Sequence, residues 1–246
     1  MTTVAADTTA ETGTSPQQFA DHLDRKVARV LADVESSDVW RMFADPKTDP
    51  RLVACTIKHV LLEVFSTGPH ITEATFRAIS RLPKNRPDLM QVMINHDLEE
   101  VDHGELALKD FVKLGGDEKW ARSRRITPQS FVLAATCRMI GEHEDPLAYL
   151  GYMYLLECLT PTVTANAQRL LAAKGFPTSA QVFIDTHATE DIAHARVLRT
   201  LIERVISEFP ESAEAIEYGF DCFAAVYPLP IWNAAAARAR EEMGVK

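Results

Sequence analysis

Apolar residues recur at helical spacing along nearly the whole chain. Phe19, Leu23, Val27, Val30, Leu31 and Val34 mark a first helix over 17–34, and a short apolar segment, 39–43, follows. Two apolar helices are expected over 51–67 and 70–82, separated by Gly68-Pro69, and a long one over 88–114. Gly115-Gly116 opens an irregular link that includes the basic run 119–125, expected to be a solvated loop. Further helices are expected over 129–140, 146–174, 179–207, 211–226 and 231–243. No period-two alternation flanked by turn signals occurs, so the fold class is all-α. Residues 1–16, rich in Thr and Ala, are expected to be a disordered tail ahead of one helical domain over 17–246.

Three of these apolar helices carry polar side chains that their burial makes expensive. On the helix over 179–207, His187, Asp191 and His194 follow at four and three residues and so share a face. Two imidazoles and a carboxylate are a favoured donor set for iron or manganese. The helix over 88–114 carries Asn95-His96-Asp97-Leu98-Glu99-Glu100-Val101-Asp102-His103 in its middle. Glu100 and His103 have the Glu-x-x-His spacing of di-iron carboxylate bundles, and Glu99 is an alternative to Glu100. Asp97, Asp102 and Glu105 are expected on a solvated face. Glu157 is the one acid among the Leu, Met and Tyr residues of the helix over 146–174, where it needs a cation or a metal. Gly151 marks either a close helix contact or room for a substrate.

Glu100, His103, Glu157, His187, Asp191 and His194 thus supply three carboxylates and three imidazoles from three helices. That inventory suits two divalent ions and leaves coordination positions for dioxygen and a substrate. Further candidates are Glu99, His96, and the pair His59 and Glu63, four residues apart, which reads as an outer pair, an extra ligand or a solvated pair. Tyr149, Met153 and Tyr154 are near Glu157 by periodicity and are candidates for lining a substrate pocket, or ordinary core.

Composition narrows the classes. With 246 residues and 46% hydrophobic positions the chain can bury a sizeable core. A net charge of −9 argues against a nucleic-acid partner. No window approaches the apolar length of a membrane span. Cys55, Cys137, Cys158 and Cys222 are scattered without a CxxC pair and read as buried thiols of a reducing cytoplasm. The apolar helices are compatible with a homodimer.

The spacing His187-x3-Asp191-x2-His194 on a late helix, Glu157 in an aromatic-rich middle helix and an acid-plus-His helix before it resemble the heme-oxygenase-like di-iron oxidases. These share the helical fold of heme oxygenase and the TenA thiaminases. The resemblance covers most of residues 40–225. It implies two ferrous ions per chain, with Glu157 bridging or terminal, and Asp191 and the histidines fixing the metals. Glu157 and Asp191 are then the catalytic carboxylates. It also implies dioxygen as co-substrate and oxidation of a small amine, amino acid or fatty acid by N-oxygenation, oxidative decarboxylation or carbon–carbon cleavage. Some members place the early acid about two turns before its histidine, where this chain has His96. Two rival readings stand beside it. One is a thiaminase-like or cofactorless enzyme of the same fold, with Cys137 or Cys158 as nucleophile. The other is a non-catalytic, ferritin-like iron-binding protein.

Overall fold

A computed structural model describes residues 15–83, 85–176, 181–189 and 191–245. The described residues are helical with no strand: α1 Pro16–Ser36, α2 Asp38–Ala44, α3 Pro50–Ser80, α4 Pro87–Glu100, α5 His103–Lys113, α6 Glu118–Ser123, α7 Pro128–His143, α8 Tyr149–Ala173, α9 Val182–His187, α10 Asp191–Glu208, α11 Ser212–Ala224 and α12 Leu229–Met243. Among them no helix is long and apolar enough to cross a membrane. Most of the tail expected over 1–16 lies outside the described residues. Its last residue already belongs to α1, where Ser15 and Gln18 form a capping box and Pro16 takes the first position.

α8 is the central rod. Tyr152, Tyr154, Leu150, Leu155 and Leu159 are fully buried on it, so it is apolar all round. α3 packs against α5, α7 and α12, while α8 packs against α10 and α11. At the α8–α11 crossing two glycines face opposite backbones. A methyl group at position 151 would collide with the Ile216 carbonyl oxygen, and one at 219 with that of Ala148. Gly151 therefore serves close helix contact and makes no room for a substrate.

The pattern of interruptions differs from expectation at four places. α3 runs unbroken through Gly68-Pro69, because its buried stripe continues from Leu52 to Ile79 and neighbours hold both halves, which outweighs one lost ladder hydrogen bond. The helix expected over 88–114 breaks at Val101-Asp102, and the one over 179–207 breaks after His187. The basic run folds into α6, and Arg124 just beyond it turns inward to Glu63.

Candidate metal centre

Each break falls between predicted ligands. Glu100 ends α4 and His103 begins α5; His187 ends α9 and Asp191 begins α10. The side chains still converge: His103 Nδ1 is 2.6 Å from Glu100 Oε2. Glu157 enters from α8, at a point where Pro161, four residues on, has no N–H to offer the Glu157 carbonyl.

Two groups of potential ligands result, each with its donor atoms within 4.8 Å of one another. One is His96, Glu100, Glu157 and His194; the other is Glu100, His103 and His187. Glu100 belongs to both, which places it to bridge two ions. His96, a marginal candidate in the sequence, packs its ring 4.9 Å from that of His194. Asp191 Oδ1 lies 3.9 Å from His194 Nδ1, outside both groups.

Hydrogen bonds on the outer nitrogens set two of the imidazoles. His187 Nδ1 is 2.7 Å from the Phe183 carbonyl oxygen; a carbonyl only accepts, so Nδ1 carries the proton and Nε2 presents a lone pair. His194 Nε2 is 3.0 Å from Glu99 Oε2, leaving Nδ1 towards Glu100 and Glu157 at 3.1 and 3.4 Å. Glu99, largely exposed, thus orients a histidine from outside, and Glu100 faces the centre.

His96 Nε2, Glu100 Oε1, Glu157 Oε2 and His194 Nδ1 are all buried, and although His194 faces both carboxylates none of the four makes a well-formed hydrogen bond. An unpaired buried polar atom costs about 1–3 kcal/mol, so four aimed at one point suit cation binding. The charges of these side chains also act on one another. Glu100, then Glu157, pushes His194 up to about 11. Against its own burial, Glu100 is held well below the usual carboxylate range by His103 and His194. Burial holds His187 below the ordinary imidazole value. The residues present fit a two-metal centre.

Several expectations need correction. Asp97 is buried, its Oδ2 unpaired, and burial, with Glu100 adding, pushes it up to about 7; Leu89, Met93 and Asp97 follow at intervals of four, so it shares their inward face. His59 does not pair with Glu63: its Nε2 faces Glu242 Oε2 at 2.9 Å. Glu63 is buried and saturated by Arg238, Arg124, Thr127 and Ser130, and it belongs to neither ligand group.

A cavity of about 210 Å3 adjoins the centre, more than roughly ten times the space one water needs. Glu100, His103, Glu157, His187 and Asp191 line its polar end together with Asp97. The rest is mostly apolar, with Trp40, Phe43, Leu159, Leu170 and Trp232 among its walls and Thr67, Thr72, Thr160 and Thr164 interspersed, and none of the described lining residues is a Lys or Arg. Met153 lines it, whereas Tyr149 and Tyr154 do not. The Tyr154 hydroxyl instead donates to Asp24 Oδ1 at 2.5 Å. Sequence reasoning missed Asp97 and Tyr227 as lining residues; Tyr227 lies seventy residues beyond Glu157 with no local signal.

Solved structures share this architecture. A domain of unknown function with a heme oxygenase-like fold from Shewanella denitrificans aligns with a TM-score of 0.70 at 19% identity, covering 89% of this chain and 93% of that one. A TenA homolog from Pseudomonas syringae pv. tomato gives 0.65 at 13%, covering 97% and 99%, and a CADD-like protein of unknown function from Nostoc punctiforme gives 0.63 at 18%, covering 89% and 98%. At these identities the likeness establishes the heme oxygenase-like fold. No curated protein matches the sequence. The family model of iron-containing redox enzymes matches residues 59–227, a span holding every member of both ligand groups, and the chain belongs to that family.

Proposed function

We propose that the protein is a non-haem di-iron oxygenase or oxidase acting on a small amphiphilic substrate. Two ferrous ions would be held by His96, Glu100, Glu157 and His194 and by Glu100, His103 and His187, with Asp191 beside them. The observation that carries this reading is the set of four buried donor atoms that face one another at one point and make no well-formed hydrogen bond. The bound iron supplies reductive activation of dioxygen; a nitrogen and oxygen donor set of this kind also accepts manganese. Glu100 neutralises charge on both sides of the pair, and Glu157 adds a second carboxylate at the first position. Phe183 fixes the tautomer of His187, and Glu99 orients the ring of His194, whose Nδ1 would give up its proton to a metal.

The cavity meets the centre on the side of His103 and His187, and His96 and His194 do not line it. A substrate therefore approaches the three-residue position, with its apolar body among the wall residues. Since no described lining residue is a Lys or Arg, an anionic head group has no fixed side-chain cation there and would turn to the metals, whereas an amine has Asp97. Apolar walls exclude water from the reacting end. Of the amine, amino acid and fatty acid classes, the walls favour members with a long apolar portion.

A cysteine nucleophile has less support. Burial pushes Cys158 up to about 12 and Cys137 higher still, and neither lines the cavity. Anaerobic loading with ferrous ion followed by oxygen, with and without a long-chain amine or fatty acid, tests the proposal. Substrate-accelerated oxygen consumption at two irons per chain is expected. Turnover that survives chelation and stops on cysteine alkylation contradicts it, and so does iron uptake far beyond two per chain without product.

A further inference from the structure

Away from the cavity, on the face where α12 crosses α3, three side chains of metal-binding type meet. Cys55 and His59 are one turn apart on α3 and share a face; Glu242 comes from the last turn of α12. A thiol sulfur, a ring nitrogen and a carboxylate oxygen from the three lie within 4.8 Å of one another. None belongs to either iron group. We propose that Cys55, His59 and Glu242 form a separate site for a sulfur-seeking divalent cation, of which zinc is the type, and that the ion ties α12 to α3.

An independent observation points to a ligand there. The Nδ1 atom of His59 is buried with no partner, while Nε2 faces Glu242 Oε2. Burial also holds this ring below the ordinary imidazole value, so the ring is a neutral donor with one nitrogen uncommitted. Zinc with bonds of about 2.0–2.3 Å keeps its ligand atoms roughly 3.3–3.8 Å apart, which these side chains reach by a small closure. A Cys-His-Glu set also suggests a nucleophile with its base, but burial raises the Cys55 thiol, the opposite of what a nucleophile needs.

The neighbouring cations leave the site its charge. Lys58 Nζ occupies only Oε1 of Glu242, at 2.5 Å, and Arg238 and Arg124 are engaged by Glu63. The half-exposed carboxylate opens onto a shallow surface cleft lined by Trp120, Arg124, Arg238 and Glu241, from which water can complete the coordination.

Cobalt(II) added to the iron-loaded full chain tests the site, because thiolate-to-cobalt absorption in the near ultraviolet reports sulfur ligation and the iron groups contain no cysteine. The expected result is that band with one cobalt per chain. It should be lost in Cys55→Ser with iron content unchanged, and retained in Cys158→Ser. Glu242→Gln, an isosteric change at a half-exposed position, should weaken cobalt binding about tenfold or more. Wild type without the band, a band surviving Cys55→Ser or disappearing in Cys158→Ser, or unchanged affinity in Glu242→Gln overturns the proposal.

Discussion

At the scale of single residues, the centre is held together by which atom of each side chain remains uncommitted. Glu99 and Glu100 are neighbours with different tasks: Glu99 holds the outer nitrogen of His194 and Glu100 faces both ligand groups. Glu99→Gln should therefore keep two irons per chain while weakening their affinity about tenfold or more, measured by competition with a chelator. Asp97 carries a pH signature in the metal-free protein. Its folded pKa, about 7, is raised above the ordinary carboxylate value, so the stability tied to its neutral form is fully present below about pH 4 and lost as pH rises towards 7. Asp97→Asn should raise the stability of metal-free protein by roughly 1–3 kcal/mol at pH 8 and leave it little changed near pH 4. Urea midpoints at the two pH values measure this; equal effects at both contradict it.

At the scale of elements, the α8–α11 crossing fixes where Glu157 enters the pocket. Gly151→Ala forces a methyl group against the Ile216 carbonyl oxygen and should destabilise by roughly 3 kcal/mol, since backbone rather than a flexible side chain must move; a thermal midpoint within a degree of wild type would contradict this. The helical class was legible in the sequence, as were Glu100, His103, Glu157, His187 and His194, because buried polar groups stand out against an apolar stripe. What was not legible was continuity. Gly68-Pro69 reads as a stop, yet neighbours carry α3 through it, whereas nothing local announces the breaks after Glu100 and His187. The rank of His96 was hidden for the same reason: its partners Glu157 and His194 are sixty and more residues away. Pairings made across space, such as His59 with Glu242 rather than Glu63, leave no trace in spacing along one helix.

At the scale of the whole molecule, the helices enclose one apolar cavity whose carboxylates and imidazoles cluster at one end. Ala167 lines it away from the ligands. Ala167→Phe should leave iron content at two per chain and lower oxygen consumption with a long-chain substrate about tenfold, with a smaller effect on a short-chain one. Equal loss for both would contradict a substrate body lying along these walls. The central claim is a pair of metals sharing Glu100, and anaerobic ferrous titration with metal analysis tests it most directly. Wild type should bind two ions per chain, His96→Ala and His187→Ala about one each at opposite positions, and Glu100→Ala neither firmly. A Glu100→Ala protein that still holds two ions as tightly as wild type would contradict the account.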